Sequence, residues 1–430
     1  MASWQDVLVV VIVAVTGPSW HFSGRPHGVA GCPSNECLCD EEVKLIDCAD
    51  FHLDAMPYFE AENVTYSTLD LSNNRIKKIQ AEAFANVKVA FIDIRRNRRE
   101  LKLHPKAFRG LEQWLHEVKV IRSRVRLIPR GLFRGLHKLT RINMADNWIE
   151  TVEVGAFKGA ANVIGLDLSW NEIKRLDARV FVGLKGLQHL DLYKNYISVI
   201  DSRAFGPLHS LRQLQLQYNE IRDLQPRVFR SMTRLKLLDL RGNSIPALFP
   251  LMFRGLPSLE ALNLRENKIM MVARDTFSTM ANLTDLDLSK CNLAFLEPDV
   301  FRGLSNLRNL ELYSNSLTEL QDGLFKHLPK LKRLNLDMNR LTTINACAFV
   351  NYMELKEIRV INNRIHCDCT LKWTTEVTSP AVDGRCATPE IYKGHDIGKH
   401  DKYMVCIHQE PNCNYRHKQR YRRRKLKALM

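Results

Sequence analysis

Read from Leu166, the sequence keeps returning to one line. LDLSWNEIKRLDARVF, LDLYKNYISVIDSRAF, LQLQYNEIRDLQPRVF and LDLRGNSIPALFPLMF begin at Leu166, Leu190, Leu214 and Leu238, 24 residues apart each time. An asparagine marks the register at Asn74, Asn97, Asn147, Asn171, Asn195, Asn219, Asn243, Asn267, Asn315, Asn339 and Asn363, with Ser123 and Cys291 substituting at their turns, which makes thirteen repeats. A chain of 430 residues would otherwise divide into about three ordinary domains. An internal period of this length instead points to a solenoid, in which each unit buries its apolar face only by touching its neighbours.

Each recurring residue has a physical role in one unit. In L-x-L the side chains alternate, so Leu190 and Leu192 point inward while Asp191 and Tyr193 point outward, the period of a strand. Successive strands can then pair in parallel. Where the chain turns away, an Asn side chain can satisfy backbone groups left unpaired by the bend, repeat above repeat. Ile197 and Ile200 fill the middle of their coil, and a spine of phenylalanines, Phe84, Phe108 and then one per repeat to Phe349, closes the convex side. With strands about 4.8 Å apart, thirteen give a strand-lined arc of roughly 60 Å. A surface that long suits a macromolecule. The spacing slips to 23 and then 26 residues around repeats two and three, a local bulge in an otherwise even array.

Apolar core would be exposed at the two end coils, and cysteines bunch where caps are required. Cys32, Cys37, Cys39 and Cys48 fall at one end; Cys367, Cys369, Cys386 and Cys406 fall at the other. Dense even-numbered clusters point to disulfides in an oxidising compartment. Zinc is the competing reading, weakened by the absence of paired C-x-x-C spacing.

With these motifs the chain resembles extracellular leucine-rich repeat proteins of the 24-residue class. The N-terminal match is Cys32-Pro33, Cys37-Leu38-Cys39, Asp47-Cys48 and Met56-Pro57; the C-terminal match is Cys367-Asp368-Cys369, Leu371, Trp373, Cys386, Pro389, Gly394 and Cys406. The resemblance implies an α/β solenoid, a leucine-rich repeat horseshoe with a parallel concave β-sheet and disulfide-bonded end caps. It also implies the pairs Cys32 with Cys39, Cys37 with Cys48, Cys367 with Cys386 and Cys369 with Cys406. The domain plan that follows is a signal peptide over about 1–25, an N-terminal cap over 32–63, repeats over 64–364, a C-terminal cap over 365–413 and a basic tail over 414–430. The family spans receptor ectodomains, matrix proteins and subunits of circulating complexes, so its fold does not set its function. Of the three remaining cysteines, Cys291 holds the ladder position and reads as a buried thiol. Cys347 and Cys413 are left to pair with each other or with another chain, and the odd total of 11 leaves at least one thiol free or intermolecular.

The apolar run from Val7 to Val15 is about half of what a membrane-spanning helix needs, so no membrane span is expected. With the small residues Ala14, Thr16 and Gly17 offering a cleavage site between Thr16 and Arg25, the run reads as the core of a secretory signal, although no Lys or Arg precedes it. Secretion makes the sequons at Asn63 and Asn282 candidate glycosylation sites. No nucleophile elbow, phosphate loop or H-E-x-x-H is present, and the acids and histidines recur at repeat-exposed positions instead of converging; no catalytic residue, cofactor or metal is expected.

The outward position between the core leucines reads Asp70, Asp93, Lys119, Asn143, Asp167, Asp191, Gln215, Asp239, Asn263, Asp287, Glu311, Asn335 and Arg359, predominantly acidic. Beside it lie Trp170, Tyr193, Tyr218 and Tyr313, and aromatics next to fixed charges anchor protein interfaces. Trp170, Tyr193, Tyr218, Asp191 and Asp167 are the candidate ligand-binding residues. The bland alternative is that Asp in L-D-L is simply the polar residue the repeat habitually uses.

Positive charge gathers in three other places. The tail from Tyr415 carries Arg416, Lys418, Arg420, Arg422, Arg423, Arg424, Lys425 and Lys427 with no acid, 8 of the net +16. A second group is Arg95, Arg96, Arg98, Arg99, Arg122, Arg124 and Arg126; a third stripe, including Arg109, Arg230 and Lys326, follows the Phe spine. Basic clusters attract polyanions. Outside the cell that polyanion is a sulfated glycan such as heparan sulfate rather than nucleic acid, with the tail residues Arg420 to Lys427 as its first candidates; a solvated tail or a processing site is the bland reading. The expected function is a secreted, non-enzymatic protein that binds an extracellular protein ligand on its concave face and is retained at matrix or cell surface. The alternative is a receptor or co-receptor ectodomain for signalling, adhesion or innate recognition, anchored by something outside this chain; a circulating carrier subunit is a third possibility.

Overall fold

A computed structural model of the protein describes residues 32–61, 64–349, 354–374 and 380–398. The expected signal peptide, Asn63, Cys406, Cys413 and the basic tail lie outside the described residues.

One strand per repeat gives a single 16-stranded sheet ordered strictly along the chain. It starts in the N-terminal cap, where Leu38–Asp40 pairs antiparallel with Leu45–Asp47, and the latter pairs in parallel with Thr65–Asp70 of the first repeat. Every later pairing is parallel and one repeat apart. Leu166 faces Leu190, Leu190 faces Leu214, and Leu214 faces Leu238, so the two-residue alternation keeps each leucine pair on the core side. The last strand, Ala381–Asp383, comes from the C-terminal cap and pairs with Glu357–Arg359. Two-residue strands make small secondary sheets behind the first, among them Arg175–Leu176 with Val199–Ile200 and Ala247–Leu248 with Met271–Val272. Among the described residues the convex limb has no α-helix; successive tight turns, and one short 3-10 turn at Ala346–Ala348, carry the chain back.

The expected core is present. The leucine pairs, Ile197 and Ile200, and the phenylalanines of the spine from Phe84 to Phe349 are buried. Phe84 stacks on Phe108 at 5.6 Å, and Phe205 on Phe229 at 6.1 Å, close to parallel. Each ring therefore covers the face its neighbour would expose to water. Trp373 ends the spine: it packs on Phe349 at 5.5 Å and its Nε1 donates to the Ile344 carbonyl at 3.1 Å.

The asparagine ladder works by stitching each repeat to the one before it. Asn195 Nδ2 donates to the Leu168 carbonyl of the preceding repeat at 2.9 Å and to Leu192 in its own, while its Oδ1 accepts the Ile173 N–H at 3.1 Å. Each such side chain satisfies backbone groups that are sealed from water. At Ser123 the hydroxyl donates to the Ile94 carbonyl at 2.6 Å, and Asn97 Nδ2 in the adjoining turn is buried without a partner. Cys291 is a free, buried thiol whose Sγ lies 3.5 Å from the Leu264 carbonyl, and burial pushes its pKa up to about 12.

Both ends are closed by disulfides. Cys32 bonds Cys39, Cys37 bonds Cys48, and Cys367 bonds Cys386, with Cys37, Cys48, Cys367 and Cys386 packed into the core. Cys369 is disulfide-bonded; its expected partner, Cys406, lies outside the described residues. Cys347, whose state the sequence leaves open, is disulfide-bonded as well.

Candidate ligand-binding face

The strand alternation delivers three outward columns to the concave side, and a fourth runs along the turn edge. At that edge Trp170, Lys194, Tyr218, Glu266 and Lys290 all have left-handed backbone, with φ from 49° to 58°. Such backbone costs an L-residue about 1–2 kcal/mol. A sheet-type bond offsets that cost each time: the Trp170 N–H donates to the Tyr193 carbonyl at 2.8 Å, and the Tyr218 N–H to the Arg241 carbonyl at 2.7 Å. The geometry belongs to the backbone, so these side chains project whatever their identity.

The structure brings the candidate residues together. Trp170 meets Tyr193 edge-on at 5.7 Å, and Tyr193 meets Tyr218 at 5.8 Å. Trp170 is 50% exposed and Tyr218 37% exposed, so both rings present area to a partner. Lys194 Nζ sits 3.6 Å from the Trp170 ring centre, Arg241 lies over Tyr218 at 5.2 Å, and the Tyr218 hydroxyl donates to Glu266 Oε2 at 3.2 Å. Glu266 also accepts from Lys290 at 3.0 Å, and the bond from Lys290 is the main cause that lowers its pKa. Gly242, at φ 67°, lets Tyr218 lie flat: a Cβ there would come within 2.5 Å of the ring. Sequence reasoning missed Lys194, Arg241, Arg265, Glu266 and Lys290. They become neighbours of the aromatics only when the repeats are written one above another and the residues just before each ladder position are read down the column.

The acids of the middle column hold their own turns. Asp191 Oδ1 accepts the Tyr193 N–H at 2.8 Å, Asp239 Oδ1 accepts the Arg241 N–H at 2.9 Å, and Asp167 Oδ1 accepts both the N–H and the hydroxyl of Ser169. Asn143 and Asn263 make the same bond. The habitual use of Asp or Asn here thus has a structural cause, a local side-chain bond to the backbone two residues on. Burial, helped by neighbouring acids, raises Asp191 and Glu311 each to about 7 and Asp239 to about 6, so the column carries less negative charge near neutral pH than its composition implies.

Three polar atoms on this face are buried without a hydrogen-bond partner: Gln217 Oε1, Asp239 Oδ2 and Arg241 Nε. All belong to the two adjoining repeats at Tyr218, near the apolar outward residues Leu237 and Ala261. His189, beside Asp191, is exposed and hydrogen-bonded to Gln213 Oε1 at 2.9 Å, and no group of three or more His, Cys, Asp or Glu side chains among the described residues could hold a metal ion. In the stripe behind the Phe spine, Arg109 pairs with Glu82, Arg302 with Asp275 and Lys326 with Asp299. Asn282 is exposed at a turn, its Nδ2 donating to the Pro257 carbonyl at 2.9 Å. No helix among the described residues is long and apolar enough to cross a membrane.

Models of two repeat families match: leucine rich repeat over 162–221, 212–269, 259–317 and 305–365, and BspA type leucine rich repeat region over 58–170. No curated protein sequence matches the chain. Among solved structures, TLR13 in its complex with ssRNA13 is 24% identical with a TM-score of 0.59, covering 75% of this chain and 52% of that one. Drosophila Toll in its complex with Spatzle is 17% identical at TM-score 0.59, covering 77% and 47%. The chain thus spans about half the length of those two. The octameric complex of Latrophilin 3, Unc5D and FLRT2 (LRR) contains a chain 24% identical at TM-score 0.56, covering 85% of this chain and 97% of that one. These likenesses carry the fold. With the matched repeats, the stacked asparagines and the disulfide-closed ends, the chain belongs to the leucine-rich repeat family.

Proposed function

We propose that this is a secreted, non-enzymatic protein that binds an extracellular protein ligand on the concave face of its middle repeats. The observation that carries the reading is the trio of unpartnered buried atoms, Gln217 Oε1, Asp239 Oδ2 and Arg241 Nε, beside a ladder of half-exposed aromatics. Leaving such atoms unsatisfied costs about 1–3 kcal/mol each, a cost that a partner supplying donors and acceptors removes on binding. Trp170, Tyr193 and Tyr218 provide the large, rigid contact area on which interface energy concentrates. Lys194, Arg241 and Glu266 hold those rings in place, so little side-chain freedom is lost when a ligand arrives.

The basic tail, Arg420 to Lys427, supplies retention at matrix or cell surface by attraction to sulfated glycan. The oxidised caps support an extracellular setting. The similarity to Toll in complex with Spatzle favours a second reading, a receptor or co-receptor ectodomain whose anchor is supplied elsewhere.

Binding of the full chain to an array of extracellular domains, repeated with Trp170→Ala, Tyr218→Ala and the convex control Arg230→Ala, tests the proposal. A partner that loses at least tenfold with either aromatic change and nothing with the control supports it. A partner indifferent to both aromatics removes the concave site.

A further inference from the structure

The second group of arginines is not absorbed by the concave site, and the fold gathers it on one flank. In the first four repeats the residue just after the ladder position is Arg75, Arg98, Arg124 and Trp148 in turn, one coil above another. Coils are about 4.8 Å apart, so this column runs roughly 15 Å. The 26-residue spacing of the second repeat adds chain at this place, and Arg98, Arg99 and Glu100 of the bulge are all exposed. Arg124 follows the ladder substitute Ser123 and takes left-handed backbone, φ 56°, where Asn or Gly would cost less.

The charges on this flank do not cancel. Arg122 pairs with Asp146, and Arg126 with Glu150 at 2.6 Å and Glu100 at 3.6 Å. Those pairs use the flank's carboxylates, and Arg96, Arg98, Arg99 and Arg124 face solvent with no acid within ion-pair distance among the described residues. Two guanidiniums pack on the Trp148 ring, Arg124 at 5.2 Å and Arg126 at 5.1 Å from its centre.

We infer that this flank, Arg98, Arg99 and Arg124 beside Trp148, is a binding site for a sulfated polysaccharide, made of residues other than those of the tail and of the concave face. It extends the retention reading above and rests on it. Planar guanidiniums match tetrahedral oxoanions in a forked way that ammonium groups cannot, and here they stand in a line across stacked coils, as a linear polyanion requires. Single-stranded RNA is the poorer fit, because its recognition relies on open aromatic faces for base stacking and Trp148 already packs against two guanidiniums. The disulfide-closed caps favour an oxidising, extracellular setting, where the prevailing polyanion is glycan.

The test measures binding of the full chain to a size-defined sulfated heparin oligosaccharide across a salt series. It compares the flank variant Arg98→Gln, Arg99→Gln, Arg124→Asn with the tail variant Arg422→Gln, Arg423→Gln, Arg424→Gln. Asn tolerates the backbone of position 124, and a charge-keeping variant with Lys at all three flank positions decides the matter if the neutral one folds poorly. The flank variant is expected to lose at least tenfold, with the slope of log affinity against log salt reduced by roughly 2. The Lys variant should lose about threefold through the missing forks. A tail variant that abolishes binding while both flank variants bind as wild type overturns this site and leaves retention by the tail standing. No binding by any form defeats both. Equal binding of the desulfated oligosaccharide, or tighter binding of single-stranded RNA or polyglutamate, overturns the assigned class of partner.

Discussion

Replacing Asp191 by Asn separates charge from shape in the middle of the concave face. The amide oxygen can keep the bond from the Tyr193 N–H, as Asn143 and Asn263 do in their own repeats. What disappears is a carboxylate whose burial, with Asp167 alongside, raises its pKa from 3.8 to about 7. The folded chain therefore holds this proton more tightly than the unfolded chain, so the associated stability is fully present below the unfolded value and is lost as pH rises through about 7. A rise from 3.8 to about 7 corresponds to about 4 kcal/mol. Solvent screening of the half-buried group reduces this to about 2 kcal/mol. Denaturant unfolding of wild type and Asp191→Asn at about pH 4 and about pH 8 reads the difference, compared at equal m-value because long repeat arrays can lose cooperativity. The variant should match wild type in acid and exceed it by about 2 kcal/mol in base. An equal difference at both pH values, or a variant weaker in base, refutes the argument that burial of the charged form dominates.

Asn195→Ala removes three ladder bonds and strands the backbone groups of two repeats; a loss of about 3 kcal/mol or more in denaturant unfolding is expected, and a loss below about 1 kcal/mol would mean water replaces the amide. Cys291→Asn should do the reverse, gaining about 1 kcal/mol by completing the ladder; a drop in thermal midpoint would show that the site is shaped to sulfur. Gly242→Ala forces a Cβ into the Tyr218 ring at a left-handed position, so it should cost about 1–2 kcal/mol and alter Tyr218 fluorescence quenching, whereas an unchanged spectrum would remove the proposed contact. Phe205→Ala opens a cavity between stacked rings and should cost about 3–5 kcal/mol by the same unfolding assay, a cost below about 1 kcal/mol meaning that its neighbours collapse to fill it.

The fold was legible because its determinants recur at a fixed spacing. Leu190 and Leu192, the ladder Asn195 and the spine residue Phe205 each reappear 24 residues on in the same environment, and a core built from neighbour contacts needs little more. The convex limb was less so, since turns without α-helix leave no apolar period of their own. The candidate site was half legible. Trp170, Tyr193 and Tyr218 could be placed on one face by register alone, but the partners that fix them sit in adjoining coils and at the turn edge, where sequence distance hides contact. The acids show the opposite problem: Asp191 and Asp239 read as a charged surface, and only the geometry reveals that one oxygen of each is committed to its own turn and that burial favours the neutral form.

The ladder that runs through the solenoid has a mechanical consequence. Because each amide stitches its coil to the one before, tension applied along the axis is carried by a chain of side-chain bonds in series, and a series fails at its weakest member. Ser123, beside an Asn97 whose Nδ2 has no partner, and Cys291, which offers sulfur in place of a carboxamide, are those members. Stretched from its caps, the protein should part first at these two seams, releasing the middle repeats as a block; a single-molecule pulling trace with no early ruptures of the corresponding lengths would contradict it. A protein held at one end and loaded at the other would then carry two built-in yield points, one on each side of the aromatic face proposed to hold a ligand.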